Sequence, residues 1–187
     1  MITVYIKKME NIPKNEKQNI VNSLSESALA RLDKKRNEAL RLASLCALSV
    51  LTDKQLSDLD YTESGRPFFA TLDADISISH SKEYASVAIS TSKNELVGID
   101  IEDNSSLPNS LIRFFTENER IVAENGASPI AIWTKKEALF KYLKNDDIPF
   151  ISLDSTTADA KFTSVQMDNS TLTVCTSQDT KIEIIQK

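Results

Sequence analysis

The stretch Leu96-Val97-Gly98-Ile99-Asp100-Ile101-Glu102 reads as a buried strand that nevertheless carries two carboxylates. Side chains alternate across a strand, so Asp100 and Glu102 share one face, about 7 Å apart. Val97, Ile99 and Ile101 share the other face and point into a core. Two like charges on one face repel, and burial raises the cost. Removing Asp100 should therefore leave metal-free stability unchanged or raised. An open, solvated face would relieve the repulsion. So would a hard divalent cation, since Mg²⁺ takes one or two carboxylates and completes its octahedron with phosphate oxygens and water.

Outward from this strand, Ile76-Ser77-Ile78-Ser79-His80-Ser81 alternates and Tyr84 to Ser90 forms a second strand. With the 96–102 strand they predict a β-hairpin or meander, with Ser79 and His80 at the mouth of one connection. His80 is the only histidine. Residue order supports no Ser/His/Asp triad, but a histidine here is suited to donate a hydrogen bond to an anion. Gly65-Arg66-Pro67 is a turn signal, followed by the apolar pair Phe68-Phe69. Downstream, Thr116-Glu117-Asn118-Glu119 opens a helix as a capping box, which offers Glu119 a purely structural role. Gly126 stops that helix, and Ser128-Pro129 starts another that reaches about Lys144. Within it Trp133, Glu137 and Lys141 fall at i, i+4 and i+8 on one face, with Lys136 beside them. An ordinary solvated Glu–Lys pair is one reading of that spacing. The tail reads as strands at 161–167, 172–176 and 182–185.

The N-terminal part opens with a strand at Ile2 to Ile6, then shows helical spacing in Ile20, Leu24, Ala28 and Leu32. A second helix is expected from an N-cap at Asp33 to about Leu51, with Arg41 on its polar edge and Ser44 and Leu48 at i+3 and i+7. A length of 187 residues admits one large domain or two small fused ones, and 41% apolar with 26% charged residues is ordinary for a globular protein. The sequence shows no membrane-spanning apolar run and no signal-peptide pattern, so a cytoplasmic location is expected. Cys46 and Cys175 lack metal-ligand spacing and read as buried, reduced thiols. The net charge of −5 argues against a nucleic-acid partner. Residues 1–50 carry nine Lys/Arg against five Asp/Glu, while residues 51–187 carry 13 against 22. The positive density gathers in Arg31, Lys34, Lys35, Arg36 and Arg41, which is either a solvated helix face or a place to hold an anionic small molecule.

The ordered set Gly65-Arg66-Pro67, Ser77-Ile78-Ser79-His80-Ser81, Val97-Gly98-Ile99-Asp100-Ile101-Glu102, Phe114-Phe115-Thr116-x-x-Glu119 and Trp133-Thr134-Lys135-Lys136-Glu137-Ala138-x-x-Lys141 resembles the 4′-phosphopantetheinyl transferases of the surfactin-synthetase-activating type. Arg66 stands where that family more often has lysine, and the chain is short at its C-terminal end. The resemblance implies an α+β fold built as a pseudo-twofold pair of similar halves, helices packed on small antiparallel sheets. Those halves would be residues 1–95, contacting the phosphates of coenzyme A, and residues 96–187, holding the metal and the catalytic helix.

The resemblance also implies the reaction. A serine hydroxyl of an apo acyl or peptidyl carrier protein attacks the phosphorus bearing the pantetheine arm of coenzyme A, and 3′,5′-ADP leaves. Asp100, Glu102 and Glu137 would hold Mg²⁺, or Mn²⁺ in its place. Glu137, a water it orients, or Glu119 would act as base, and Lys141 would stabilise charge on the pyrophosphate. Arg41, Arg66, Ser79, His80 and Lys136 would hold coenzyme A. A monomer is expected, with no nucleic-acid or membrane partner. Two rival functions use the same fold or carboxylates: a non-catalytic carrier-binding module and a metal-dependent phosphohydrolase. Leu107, Leu111, Ile112 and Phe114, with Arg113 and Arg120, are expected to supply some of the carrier-docking patch.

Overall fold

A computed structural model describes residues 1–9, 12–34, 38–104 and 109–187. In chain order these form β1 (Ile2–Lys8), α1 (Lys14–Ser23), α2 (Glu26–Asp33), α3 (Glu38–Leu48), α4 (Asp53–Asp58), β2 (Leu59–Tyr61), β3 (Pro67–Phe69), β4 (Ile76–His80) and β5 (Tyr84–Ser90). Then come β6 (Gly98–Asp103), a 3₁₀ turn (Asn109–Phe114), α5 (Glu117–Glu124), α6 (Pro129–Leu143), a second 3₁₀ turn (Phe150–Ser152), β7 (Lys161–Met167), β8 (Ser170–Thr176) and β9 (Ile182–Gln186). Lys35, Arg36 and Leu107 lie outside the described residues. The fold is α+β, as expected.

Two sheets carry the architecture, ordered β4-β5-β1-β9 and β6-β8-β7. Each opens with one strand, passes through helices and closes with a hairpin that pairs back onto the opening strand. β1 pairs with β5 and β6 with β8, both antiparallel. The chain passes from the first sheet to the second between the end of β5 at Ser90 and the start of β6 at Gly98. β9 then returns to pair parallel with β1, so the C-terminal segment completes the first sheet. One shared core lies between the sheets: Ile2, Val4 and Ile6 of β1 pack with Ile99 and Ile101 of β6 and with Leu172 and Val174 of β8. Val97, Ile99 and Ile101 are fully buried, as their alternation requires.

The expected meander does not continue through β6. Instead the polar face of the segment running into β4 binds the unpaired edge of β6 through side chains. Val97 N donates to Asp75 Oδ2 (2.9 Å), Ile99 N to Ser77 Oγ (3.1 Å) and Ile101 N to Ser79 Oγ (3.4 Å). An open strand edge must be paired or covered, and this row of oxygens covers it while joining the two sheets.

The N-terminal helices are also divided differently from the expectation. Ser25 accepts from Ala28 N (3.2 Å) and starts α2, and Asp33 ends α2 instead of capping α3. Leu111, Ile112 and Phe114 pack partly buried against Phe115, Ile132 and Trp133. The large apolar side chains left exposed nearby are Ile121 and Val122 of α5. The apolar docking candidates Leu111, Ile112 and Phe114 are therefore only partly exposed, whereas Arg113 and Arg120 are exposed, and Arg120 precedes the exposed pair Ile121 and Val122.

α6 lies along β6, and Gly98 makes the contact possible. A Cβ on residue 98 would stand 1.9 Å from the Ala138 carbonyl oxygen and 2.5 Å from Tyr142 N, both backbone atoms of α6. Neither can yield unless the helix lifts off the strand. Gly98→Ala is expected to lower stability by about 2–3 kcal/mol and to lose most activity, because the same contact sets the spacing of Asp100 and Lys141. Thermal melting and turnover of the variant check this; wild-type values for both would refute the close-contact argument.

Candidate active site

α6 presents Trp133, Glu137 and Lys141 towards β6. Trp133 Nε1 donates to Glu102 Oε1 (3.4 Å) at one end. At the other, Lys141 Nζ donates to Asp100 Oδ1 (2.8 Å), Ile99 O (3.0 Å) and Ser79 Oγ (3.1 Å). Lys141 is thus committed to the strand carboxylate, not to a solvated pair with Glu137. Ser79 Oγ also donates to Asp100 Oδ1 (2.8 Å), so three groups from three elements meet at one oxygen. The second oxygen, Asp100 Oδ2, is buried with no hydrogen-bond partner among the described residues.

The carboxylates feel one another. Burial, then the Asp100 charge, pushes Glu102 up to about 7; Glu137 adds to this, while the Trp133 N–H and Lys141 pull the other way. Burial raises Glu137 as well, offset by Lys141 and reinforced by Asp100. Among the described residues no three His, Cys, Asp or Glu are gathered closely enough to hold a metal by themselves. The donors nevertheless suit a hard cation: oxygen atoms, one buried and unpartnered, with mutual repulsion that a divalent charge would relieve.

Lys141 forms the floor of a cleft between the halves. One part is lined by Arg66, Pro67, Ile76, Ile78, Glu137, Phe140 and Lys144; the adjoining part by Ser44, Leu48, Tyr61, Gly65, Ser79 and His80. Beyond His80 a further recess reaches Ala39, Ala43 and Glu102. Arg41 lies one turn before Ser44 on α3, half exposed and paired with Asp33 (3.1 Å). Gly65 has φ +90, which favours glycine, and the Arg31 guanidinium covers its open face.

Two expected residues stand apart from the cleft. Lys136 and Glu119 are both fully buried and paired at 2.8 Å. Lys136 also donates to the Leu153 carbonyl, while Glu119 accepts from Thr116 N (2.9 Å), Ser155 N (3.0 Å) and Ser155 Oγ (2.8 Å). With no exposed surface, Lys136 does not reach a ligand in the cleft. Arg66 lines the cleft but turns its guanidinium to the end of α6.

Residues 96–183, from the segment entering β6 to the start of β9, match the family model of the 4′-phosphopantetheinyl transferase superfamily. The 4′-phosphopantetheinyl transferases AcpT of Salmonella typhimurium and Salmonella typhi are each 34% identical over 154 residues, which cover 74% of this chain and 79% of theirs. The chain belongs to the 4′-phosphopantetheinyl transferase superfamily. In this transferase the matched region holds Asp100, Glu102, Glu119, Glu137 and Lys141, whereas Arg41, Arg66, Ser79 and His80 come from the half before it.

Sequence reasoning missed Asp75, Ser77 and Lys144 of the transferase. Asp75 Oδ1 takes the Lys144 ammonium while Oδ2 holds β6. A signal existed: Asp75, Ser77 and Ser79 alternate with Ile76 and Ile78, so one polar face was visible. What it would face was not. Among the described residues no helix is long and apolar enough to cross a membrane. Cys46 and Cys175 are both buried, and burial pushes the Cys175 thiol up to about 12.

Proposed function

We propose that this protein transfers the 4′-phosphopantetheine arm of coenzyme A to a serine of an apo carrier protein, using a divalent cation, with Mg²⁺ the expected one. The observation that carries the reading is the Lys141–Asp100 contact at the floor of the inter-half cleft, beside Glu102 and Glu137. Asp100 and Glu102 supply hard oxygen donors, with Glu137 as a third. Bound there, Mg²⁺ would neutralise charge on the pyrophosphate.

The remaining work falls to side chains. Phosphoryl transfer depends mainly on positioning and charge neutralisation. Lys141, already at the Asp100 carboxylate, is placed to stabilise negative charge on the phosphate oxygens. Glu137, held above the ordinary carboxylate range by burial, is the candidate to take the serine proton, directly or through a water it orients. The P–O bond to the departing 3′,5′-ADP breaks as the serine oxygen bonds to phosphorus. His80 and Arg41 approach the cleft from the first half and are proposed to hold the phosphates of coenzyme A.

The test is incubation with coenzyme A, Mg²⁺ and a panel of apo carrier proteins, read by intact mass. The expected result is a phosphopantetheine adduct on at least one carrier. Release of pantetheine phosphate without any carrier would favour the phosphohydrolase, and carrier binding without an adduct the non-catalytic module.

The raised Glu102 predicts a pH effect. Its folded value, about 7, lies above its ordinary 4.5, so ionising it costs stability as pH climbs between those values, and that cost is complete above about 7. A cation binds the ionised form and offsets this cost. Mg²⁺ should therefore raise the melting temperature more at pH 8 than at pH 6. Equal shifts would separate Glu102 from the cation site.

A further inference from the structure

We propose that Arg66 and Asp146 form a latch that positions the C-terminal end of α6, making Arg66 a positioning residue and not a coenzyme A contact. The inference rests on Lys141 acting in transfer as described above. Lys141 lies in the last turn of α6, where the final carbonyls of a helix lack intrahelical partners and the chain tends to fray. Arg66 reaches them from the turn between β2 and β3, in the other half of the chain. Its Nη1 donates to the carbonyls of Phe140 (3.0 Å) and of Lys141 itself (3.4 Å). Its Nε donates to Asp146 Oδ1 (2.8 Å), and Nη2 lies 2.8 Å from the same oxygen. The guanidinium carbon sits 4.5 Å from the centre of the Phe140 ring.

Nε and Nη1 are thereby engaged by the loop after α6 and by α6 itself, Nη2 makes an ion-pair contact with Asp146 but no hydrogen bond among the described residues, and the side chain is only 15% exposed. A cation at a helix C-terminus is favourable, and only a planar fork can meet two carbonyls, a carboxylate and a ring face together. The latch has a companion. Lys144, the left-handed cap of α6 at φ 51, pairs with Asp75, which also holds β6. The first half thus grips the helix end from two sides. The gripped segment includes the Lys141 backbone, from which the ammonium must reach Asp100.

Kinetics of Asp146→Ala and Arg66→Lys test this, with coenzyme A and carrier varied in turn. Asp146 is half exposed, so its variant should fold. Both are expected to lower kcat about tenfold while the KM for coenzyme A stays within about twofold. The double variant should be no worse than Arg66→Lys alone, because the two residues act as one unit. An Arg66 that holds phosphate behaves otherwise: Asp146→Ala removes a competing carboxylate and lowers the KM for coenzyme A, and Arg66→Lys raises that KM with little change in kcat. Either pattern overturns the latch. Amide hydrogen exchange supplies a readout independent of any turnover. Residues 138–146 should exchange faster in Asp146→Ala with α3 unchanged, whereas unaltered exchange there refutes the latch even in a protein that shows no transfer.

Discussion

Asp100→Asn is expected to slow transfer by about 10²–10³-fold in a protein that still folds. The amide keeps the shape of the carboxylate but loses its charge. It can still accept from Lys141 and Ser79, yet it places an N–H where Asp100 Oδ2 now lies buried and unpartnered. In the proposed function that oxygen would be the one to meet the cation. Stability should fall as well, against the expectation from two repelling carboxylates. Lys141 stands 2.8 Å from Asp100, its side chain 27% exposed, so the attraction removed outweighs the repulsion from Glu102. A loss of about 2 kcal/mol follows from weakening a partly buried pair. At this chain length that lowers the melting temperature by about 4–8 °C. Single-turnover transfer and melting curves with and without Mg²⁺ measure both effects. Normal transfer across Mg²⁺ concentrations would falsify the role given to Asp100.

Glu119→Ala should be the most destabilising of the substitutions considered, at about 3–5 kcal/mol. It strands the Lys136 ammonium where neither residue has exposed surface, and it leaves Thr116 N and Ser155 without their acceptor. The capping box that starts α5 is lost in the same step. Replacing both charges, as in Glu119→Met with Lys136→Met, should recover much of the stability, because a buried pair pays desolvation that an apolar pair does not. Melting of the two single variants and the double variant measures this. Glu119→Gln separates structure from chemistry: wild-type melting with abolished transfer would return Glu119 to the proton-transfer step.

The candidate site was legible where short-range geometry decides. Alternation along β6 put Asp100 and Glu102 on one face, and helical spacing put Trp133, Glu137 and Lys141 on another, before any fold was known. The capping box at Thr116 was also readable, because both partners lie within one turn. Lys136 was not. Its place on α6 is local, but its burial depends on α5 and on the loop after the second 3₁₀ turn closing over it. The division of the N-terminal helices failed for a related reason. Apolar spacing continues across Leu24 and Ser25, and only the serine cap, anchored to the Leu59 carbonyl at 2.8 Å, breaks the chain there.

By itself the sequence determined the strand and helix that carry the chemistry and the family that they resemble, and through that resemblance the α+β class. Each depends on side-chain periodicity or on motif order, which are properties of neighbours along the chain. Only the tertiary structure decided which charges meet. Lys141 could have paired with Glu137 one turn away, yet it binds Asp100, because Gly98 lets α6 approach β6 to within backbone contact. Arg66 could have faced an anion, yet it caps α6, because the β2–β3 turn delivers it to carbonyls 74 and 75 residues further along the chain. Separations of that kind carry no periodic signal, so pairings across them follow from how the two halves pack and not from what each half spells.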